Sequence, residues 1–321
     1  MVGVGVAFLI ALSWSLLAIP LGARFGIVDR PDDSSLNVHE HPAVPLGGIG
    51  VFAAVTVGMG ITGNSDFGAM VAAGLLLATG LVDDMAGLRP LLRLAIQFGA
   101  GWWLAVFADL PDGYHTWGGK VVVALVVVLA VNAVNLFDGL DGLAAVSGIV
   151  SALGITFLAA ARGGESSVGP VLAAGLAGFL ILNWPPARVF LGDNGAYVVG
   201  LYLAYGMLGA SPGAGWQLVL SLLLLGVFAL DLMATVVRRR VAGARLFAGD
   251  RSHLYDQLRD RGMSVAAVVA SAGVAQALFV GTALLLDRST SVVLQAASLA
   301  GITAAIFSLL AVGGFLTPDD R

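Results

Sequence analysis

Asn132, Asn135, Asp138 and Asp141 fall at every third position of the stretch NAVNLFDGLDGL, residues 132–143, directly behind the apolar run KVVVALVVVLAV. On a helix the two amides share a face, and Asp138 continues their row with some rotation. Gly139 then ends the helix and leaves Asp138 near the negative pole of the helix dipole, where a carboxylate is disfavoured unless positive charge compensates. The plain alternative is that Asp141 caps the next helix at Leu143 and Asp138 is merely solvated.

Three further stretches repeat the theme. In LVDDMAGLRPLLRLAIQ, 81–97, Asp83 and Asp84 end another apolar helix. Adjacent carboxylates raise each other's tendency to hold a proton, so the pair suits a base beside a bound cation. With Arg89 and Arg93 just downstream, a salt-bridged surface cluster is the competing reading. In VFLGDNGAYVVG, 189–200, Asp193 lies between glycines at a helix mouth. That is a good turn and N-cap, and equally a place where a phosphate can approach bare backbone and free N–H groups. The longest polar segment, RRRVAGARLFAGDRSHLYDQLRDRG at 238–262, offers Asp250, Arg251 and His253 within four residues. An acid, a fork-shaped anion ligand and a titratable ring suit a diphosphate. Asp231, inside the preceding apolar stretch, is an intramembrane acid and so functional or paired. His39 and His41 belong to an earlier loop where a loop contact and a substrate contact are equally open, and His115 carries no role. Together these groups read as a site for a magnesium-bound diphosphate at a membrane surface.

The elements that must position them are membrane helices. Hydrophobic residues make up 58% of the chain and charged ones 11%, with a mean hydropathy of +0.94. So little polar surface cannot cover a water-soluble globule. A net charge of −4 therefore says little about partners, and the lack of cysteine excludes disulfides, thiol nucleophiles and Cys-based metal sites. At about 20 apolar residues per crossing, the expected spans are 2–22, 46–62, 67–83, 91–109, 119–136, 143–161, 168–184, 196–210, 216–237, 264–286 and 291–315. This predicts an all-α, polytopic integral membrane protein with about eleven transmembrane helices, ten being the other count, in a single domain over 1–321.

With the N-terminus outside, the inner segments hold Arg24, Arg30, Arg89, Arg93, Arg188, Arg238, Arg239, Arg240, Arg245, Arg251, Arg259, Arg261 and Arg321. The outer ones hold only Lys120, Arg162 and Arg288. That bias predicts the orientation and makes 23–45, 84–90, 137–142, 185–195 and 238–263 cytoplasmic loops. Every acid group above then falls at the cytoplasmic end of a different helix.

The order VDD with LRPLLRLAIQ, NAVNLFDGLDGLAA, FLGDNG and DLMATVVRRR leading into GDRSH, with a weaker block from GIVDRP to HEHPAVPLGGIG, resembles the polyprenyl-phosphate N-acetylhexosamine-1-phosphate transferases. The matching blocks run from about residue 26 to 262. The resemblance implies a multi-pass enzyme of the bacterial plasma membrane that starts cell-wall or surface-glycan assembly. Its partners would be a UDP-N-acetylhexosamine, polyprenyl phosphate and the bilayer, with no nucleic acid and a homodimer open by family analogy; Mg²⁺, or Mn²⁺ in its place, would be the cofactor. By matched position, Asn135 and Asp193 would hold the metal on the diphosphate. Asp83 and Asp84 would orient or deprotonate the lipid phosphate, with Asp83 favoured as base. Asn132, Asp138 and Asp141 would shape the nucleotide-sugar pocket, and Arg251, His253, Arg93 and Asp231 would complete the anion and sugar contacts.

The departures are informative. After its first histidine the family's last motif usually carries two more, where this chain has Tyr255 and Asp256. An arginine is missing from PAVPLGGIG, and Leu91 and Arg93 stand where lysines are common. These changes favour a UDP-GlcNAc-type donor over the muramoyl-pentapeptide nucleotide of the peptidoglycan branch. Aromatic prenyltransferases need a second aspartate-rich motif that VDDMAG does not supply. A transporter would carry its ionisable groups near the midplane of two related halves, and here they crowd one face.

Overall fold

A computed structural model of the chain describes residues 1–29, 42–243 and 252–316. The elements run in order α1 (Val2–Phe25), α2 (Gly47–Ile61), α3 (Phe67–Ala86), α4 (Pro90–Phe107), α5 (Trp117–Phe137), α6 (Leu143–Ala161) and α7 (Val168–Asn183). They continue as α8 (Gly192–Gly209), α9 (Trp216–Ser221), α10 (Gly226–Val241), α11 (Leu254–Asp260), α12 (Val265–Asp287) and α13 (Val292–Val312). The protein is an all-α polytopic membrane protein. Eight of the described stretches are long and apolar enough to cross a bilayer, α9 to α10 counting as one, and α2 and α7 are shorter apolar helices.

Helix ends follow the local sequence. Asp66, Thr116, Ser264 and Ser291 accept first-turn N–H groups at the starts of α3, α5, α12 and α13, and Pro90 opens α4, where its missing N–H costs nothing. Asp66 also accepts from the Asp109 N–H at 2.6 Å and the Tyr205 hydroxyl at 2.9 Å, locking the start of α3 to α8. Two isolated bridges hold the segment before α2, Asp29 with Ala43 tying it to the chain leaving α1 and Val44 with Val189 to the segment before α8.

The central element is α8, which packs against α2, α3, α5, α6 and α7. From Asn194 to Leu208 nearly every residue is buried. Protein rather than lipid surrounds it, so Asn194, Tyr197, Tyr202 and Tyr205 are tolerated in a helix whose apolarity is weak. Close approach depends on glycine. A methyl on Gly80 of α3 would overlap the Asn194 backbone, and Gly48 of α2 and Gly195 of α8 lie against each other in the same way. Three helices thereby converge at the residue next to Asp193.

The expected continuous span 216–237 is broken. A tight turn at Leu222–Leu225 separates α9 from α10. Gln276 of α12 enters the gap, accepting from the Val227 N–H at 2.9 Å and donating to the Leu224 carbonyl at 2.8 Å, so the backbone groups freed by the break stay satisfied away from water. At the end of the bundle away from the acid groups, Arg162 donates to Asp287, Ser211, Ser221 and the carbonyls of Ala210 and Gln217, tying α6, α8, α9 and α12 together. Helix α13 buries almost none of its residues and is held at its start by Gln295 bonds to the Leu286 and Ser289 carbonyls.

Candidate active site

The ends of α3, α5, α7 and α11, the turn between α5 and α6, and the starts of α8 and α12 line a cavity of about 560 Å³. Asp84, Asn135, Asp138, Asp141 and Asp193 all line it. Residues separated by more than a hundred positions thus share one chamber. The Asn135 amide donates to Asp193 Oδ1 at 2.5 Å, joining the end of α5 to the start of α8.

The adjacent acids of α3 part company. Asp84 faces the cavity and accepts from the backbone N–H groups of Asp193 at 2.9 Å and Asn194 at 3.3 Å, and from the Asn194 amide at 2.7 Å. It caps the positive end of α8. Asp83 does not line the cavity. It is buried and takes the Leu88 N–H at 2.7 Å, Arg93 Nη1 at 2.9 Å and the Tyr197 hydroxyl at 2.6 Å. Arg93 is committed to this ion pair rather than to the chamber.

In the α5–α6 turn, Asp141 accepts from the Ala187 N–H at 2.9 Å, and Asn183 braces the same turn through the Gly142 N–H at 2.9 Å. No hydrogen bond to the Asp138 carboxylate forms among the described residues. Its desolvation, followed by the charges of Asp193, Asp84 and Asp141, holds its proton affinity well above the ordinary carboxylate range. Asn132 turns away from the cavity. Its amide donates to Gln97 of α4 at 2.5 Å and to the Val128 carbonyl, so it joins α4 to α5.

Asp231 and His253 form a pair behind the chamber. Fully buried Asp231 accepts His253 Nδ1–H and the Leu254 N–H, each at 2.7 Å. The His253 ring stacks on Tyr255 with centroids 5.2 Å apart. Tyr255 occupies the notch left by Gly139 and donates to the Leu136 carbonyl at 3.1 Å, while Asp256 returns to the His253 N–H at 3.2 Å. The two residues that replace histidines therefore act here as a buttress and a cap for α11. Arg251 lies outside the described residues, as do His39, His41 and Asp250. His115 bonds the Ala105 and Leu110 carbonyls at the far end of the bundle.

The chamber suits a hard cation. Its donors are oxygens, its acids are in excess, and bound positive charge would reverse the penalty on Asp138. Among the described residues no three histidine, cysteine or acidic groups gather round one point. A cation would then rest on Asp193 and Asn135 with phosphate oxygens and water filling the other positions, the usual habit of magnesium.

Sequence reasoning passed over Tyr197, Asn183, Asn194 and Arg259. Tyr197 lies one helical turn after Asp193, and Asn183 ends an apolar helix as Asn132 and Asn135 do. Those positions were the available signals.

Residues 67–211 match glycosyl transferase family 4. The chain is 28% identical to a protein of Bacillus subtilis named a probable undecaprenyl-phosphate N-acetylglucosaminyl 1-phosphate transferase, over 82% of this chain and 79% of that one. It is 30% identical to the decaprenyl-phosphate N-acetylglucosaminephosphotransferase of Mycolicibacterium smegmatis, over 76% and 71%. The phospho-N-acetylmuramoyl-pentapeptide-transferase of Moorella thermoacetica is 34% identical over 54% of this chain and 56% of its own.

Proposed function

The chain belongs to glycosyl transferase family 4, and from that premise we propose that it moves N-acetylglucosamine 1-phosphate from its UDP derivative to polyprenyl phosphate, releasing UMP. The observation that carries this reading is the joining of Asn135 and Asp193 in a chamber also lined by Asp84 and Asp138. On this reading the site faces the cytoplasm at a bacterial plasma membrane, which the bias of arginines toward the loops at that end supports.

In the reaction an oxygen of the lipid phosphate attacks the sugar-linked phosphorus. A new P–O–P link forms as the old one breaks, and the electron pair leaves on the UMP oxygen. One anhydride replaces another, so the barrier is chiefly repulsion between anions. Asp193 and Asn135 would hold Mg²⁺, whose contribution is to neutralise diphosphate charge. The lipid phosphate is already largely ionised near neutrality, its second pKa being about 6. We therefore give the cavity-facing Asp84 the task of keeping the start of α8 in register, and Asp83 that of fixing Arg93 and Tyr197 behind it. Asp141 and Asn183 shape the turn that receives the nucleotide, and Asp231 orients the His253 ring. The muramoyl-pentapeptide reading is disfavoured because Tyr255 and Asp256 fill a packed corner where that branch carries histidines.

The test uses purified protein, polyprenyl phosphate, Mg²⁺ and a panel of UDP-sugars that includes the muramoyl-pentapeptide nucleotide. UMP release should require lipid and metal, be fastest with UDP-GlcNAc, and fall at least about a hundredfold in Asp193→Ala. A folded wild-type protein that releases no UMP from any donor would end the transferase reading.

A further inference from the structure

We propose that Arg259 is a phosphate ligand of this chamber, giving its guanidinium to an oxyanion of the nucleotide or of the lipid phosphate. The proposal rests on the transferase reading above and names a residue that neither the motifs nor the expected site contains. Arg259 is the basic side chain that lines the cavity among the described residues, set on α11 beside Ser264 and Val265 at the corner leading into α12.

Its hydrogen bonding is incomplete in an informative way. Nη1 donates to the Met263 carbonyl at 2.5 Å, which fixes the group against its own corner. Nε is buried and has no hydrogen-bond partner. Asp84, Asp138, Asp141 and Asp193 line the same cavity, yet none pairs with Arg259 among the described residues. A guanidinium carries five N–H donors, and a buried Nε–H without a partner is costly. An anion that enters the chamber would use them.

The choice of phosphate follows from the charge layout. A cation belongs with the carboxylates of α3, α5 and α8, and a neutral sugar gains little from a full positive charge. A diphosphate entering beside five acids, Asp29 among them, needs positive charge on more than one side, and α11 supplies it from an element separate from those that carry the acids. The fork of Arg fits phosphate oxygens bidentately. The donor nucleotide and the acceptor lipid present this same group, and binding measurements separate them.

The experiment compares wild type, Arg259→Gln and Arg259→Lys, each checked for helical content by circular dichroism. UMP and uridine binding are followed by calorimetry, and the KM for polyprenyl phosphate by UMP release. If the ligand is the nucleotide phosphate, Arg259→Gln weakens UMP binding about tenfold or more, leaves uridine binding unchanged, and Arg259→Lys recovers part of the loss. If the ligand is the lipid phosphate, UMP binding is unchanged and the KM for the lipid rises by a similar factor. Equal UMP affinity and equal lipid KM in all three proteins overturn the proposal. So does a parallel loss of uridine and UMP binding, which marks a structural role only. A wild type that binds UMP but transfers nothing would instead overturn the transferase reading and leave the nucleotide arm of this test intact.

Discussion

Asp138 shows at the scale of one residue how the chamber trades stability for function. Its carboxylate is charged at a cost, because burial and three neighbouring acids favour the protonated form. A group with a raised native pKa stabilises the fold while it is protonated, and that contribution is lost as pH rises through the raised value. At neutral pH and without metal, Asp138→Asn keeps the shape and removes the penalty. The variant is expected to melt a few degrees higher than wild type in chelator by scanning fluorimetry, and to lose transfer activity by about a hundredfold. Mg²⁺ should raise the wild-type melting temperature more than that of the variant. A variant that melts lower than wild type in chelator would contradict the like-charge account. Asp231 is the opposite case, since both its oxygens are used. Asp231→Ala strands the Leu254 N–H and His253 Nδ1–H in the interior, at about 2–4 kcal/mol, and should lower the melting temperature well beyond Asp231→Asn, which keeps an acceptor for Leu254.

Among elements, the critical contact is the crossing of α3 over the start of α8. Gly80→Ala places a methyl on the Asn194 backbone. The helices must separate, and Asp84 then loses its grip on the Asp193 and Asn194 N–H groups. Transfer activity is expected to collapse with helical content retained in circular dichroism. Gly74→Ala is the control on the same helix, where the nearest neighbour is a Phe52 ring carbon at 3.7 Å, and it should remain active. This contact also marks how far the sequence could be read. Apolar length and turn residues located the helices well, because a membrane leaves the backbone few other choices. The central place of α8 was not visible, since hydropathy cannot distinguish lipid from a ring of other helices. The seven-residue α11 lay hidden in a polar segment, being shorter than any periodicity test can detect. Asp83 and Asp84 could not be told apart for a related reason. Successive residues on a helix point about 100° apart, and which one meets the cavity is decided by the Gly80 crossing. Likewise Asn132 shares a motif with Asn135, yet Gln97 on α4 holds it away from the chamber.

At the scale of the whole molecule, the orientation decides whether the chamber can meet a nucleotide sugar at all. Arg188, Arg238, Arg239 and Arg240 flank the same end of the bundle as Asp84 and Asp193, while Arg162 at the other end is consumed by Asp287 and its neighbours. Basic residues therefore cluster at the chamber end, and such charge is retained on the cytoplasmic side during insertion. The cysteine-free sequence makes the test direct. Single cysteines at exposed Asn64, Glu165 and Thr290 should react with a membrane-impermeant maleimide in intact cells, and those at exposed Arg188 and Arg240 only after lysis. The reverse pattern would put the chamber on the outer face, away from the compartment that makes UDP-sugars. In that case Asp193 and Asn135 would need another diphosphate to explain them. Labelling of both groups in intact cells would mean mixed insertion, and the arginine bias would then have failed as the orienting force.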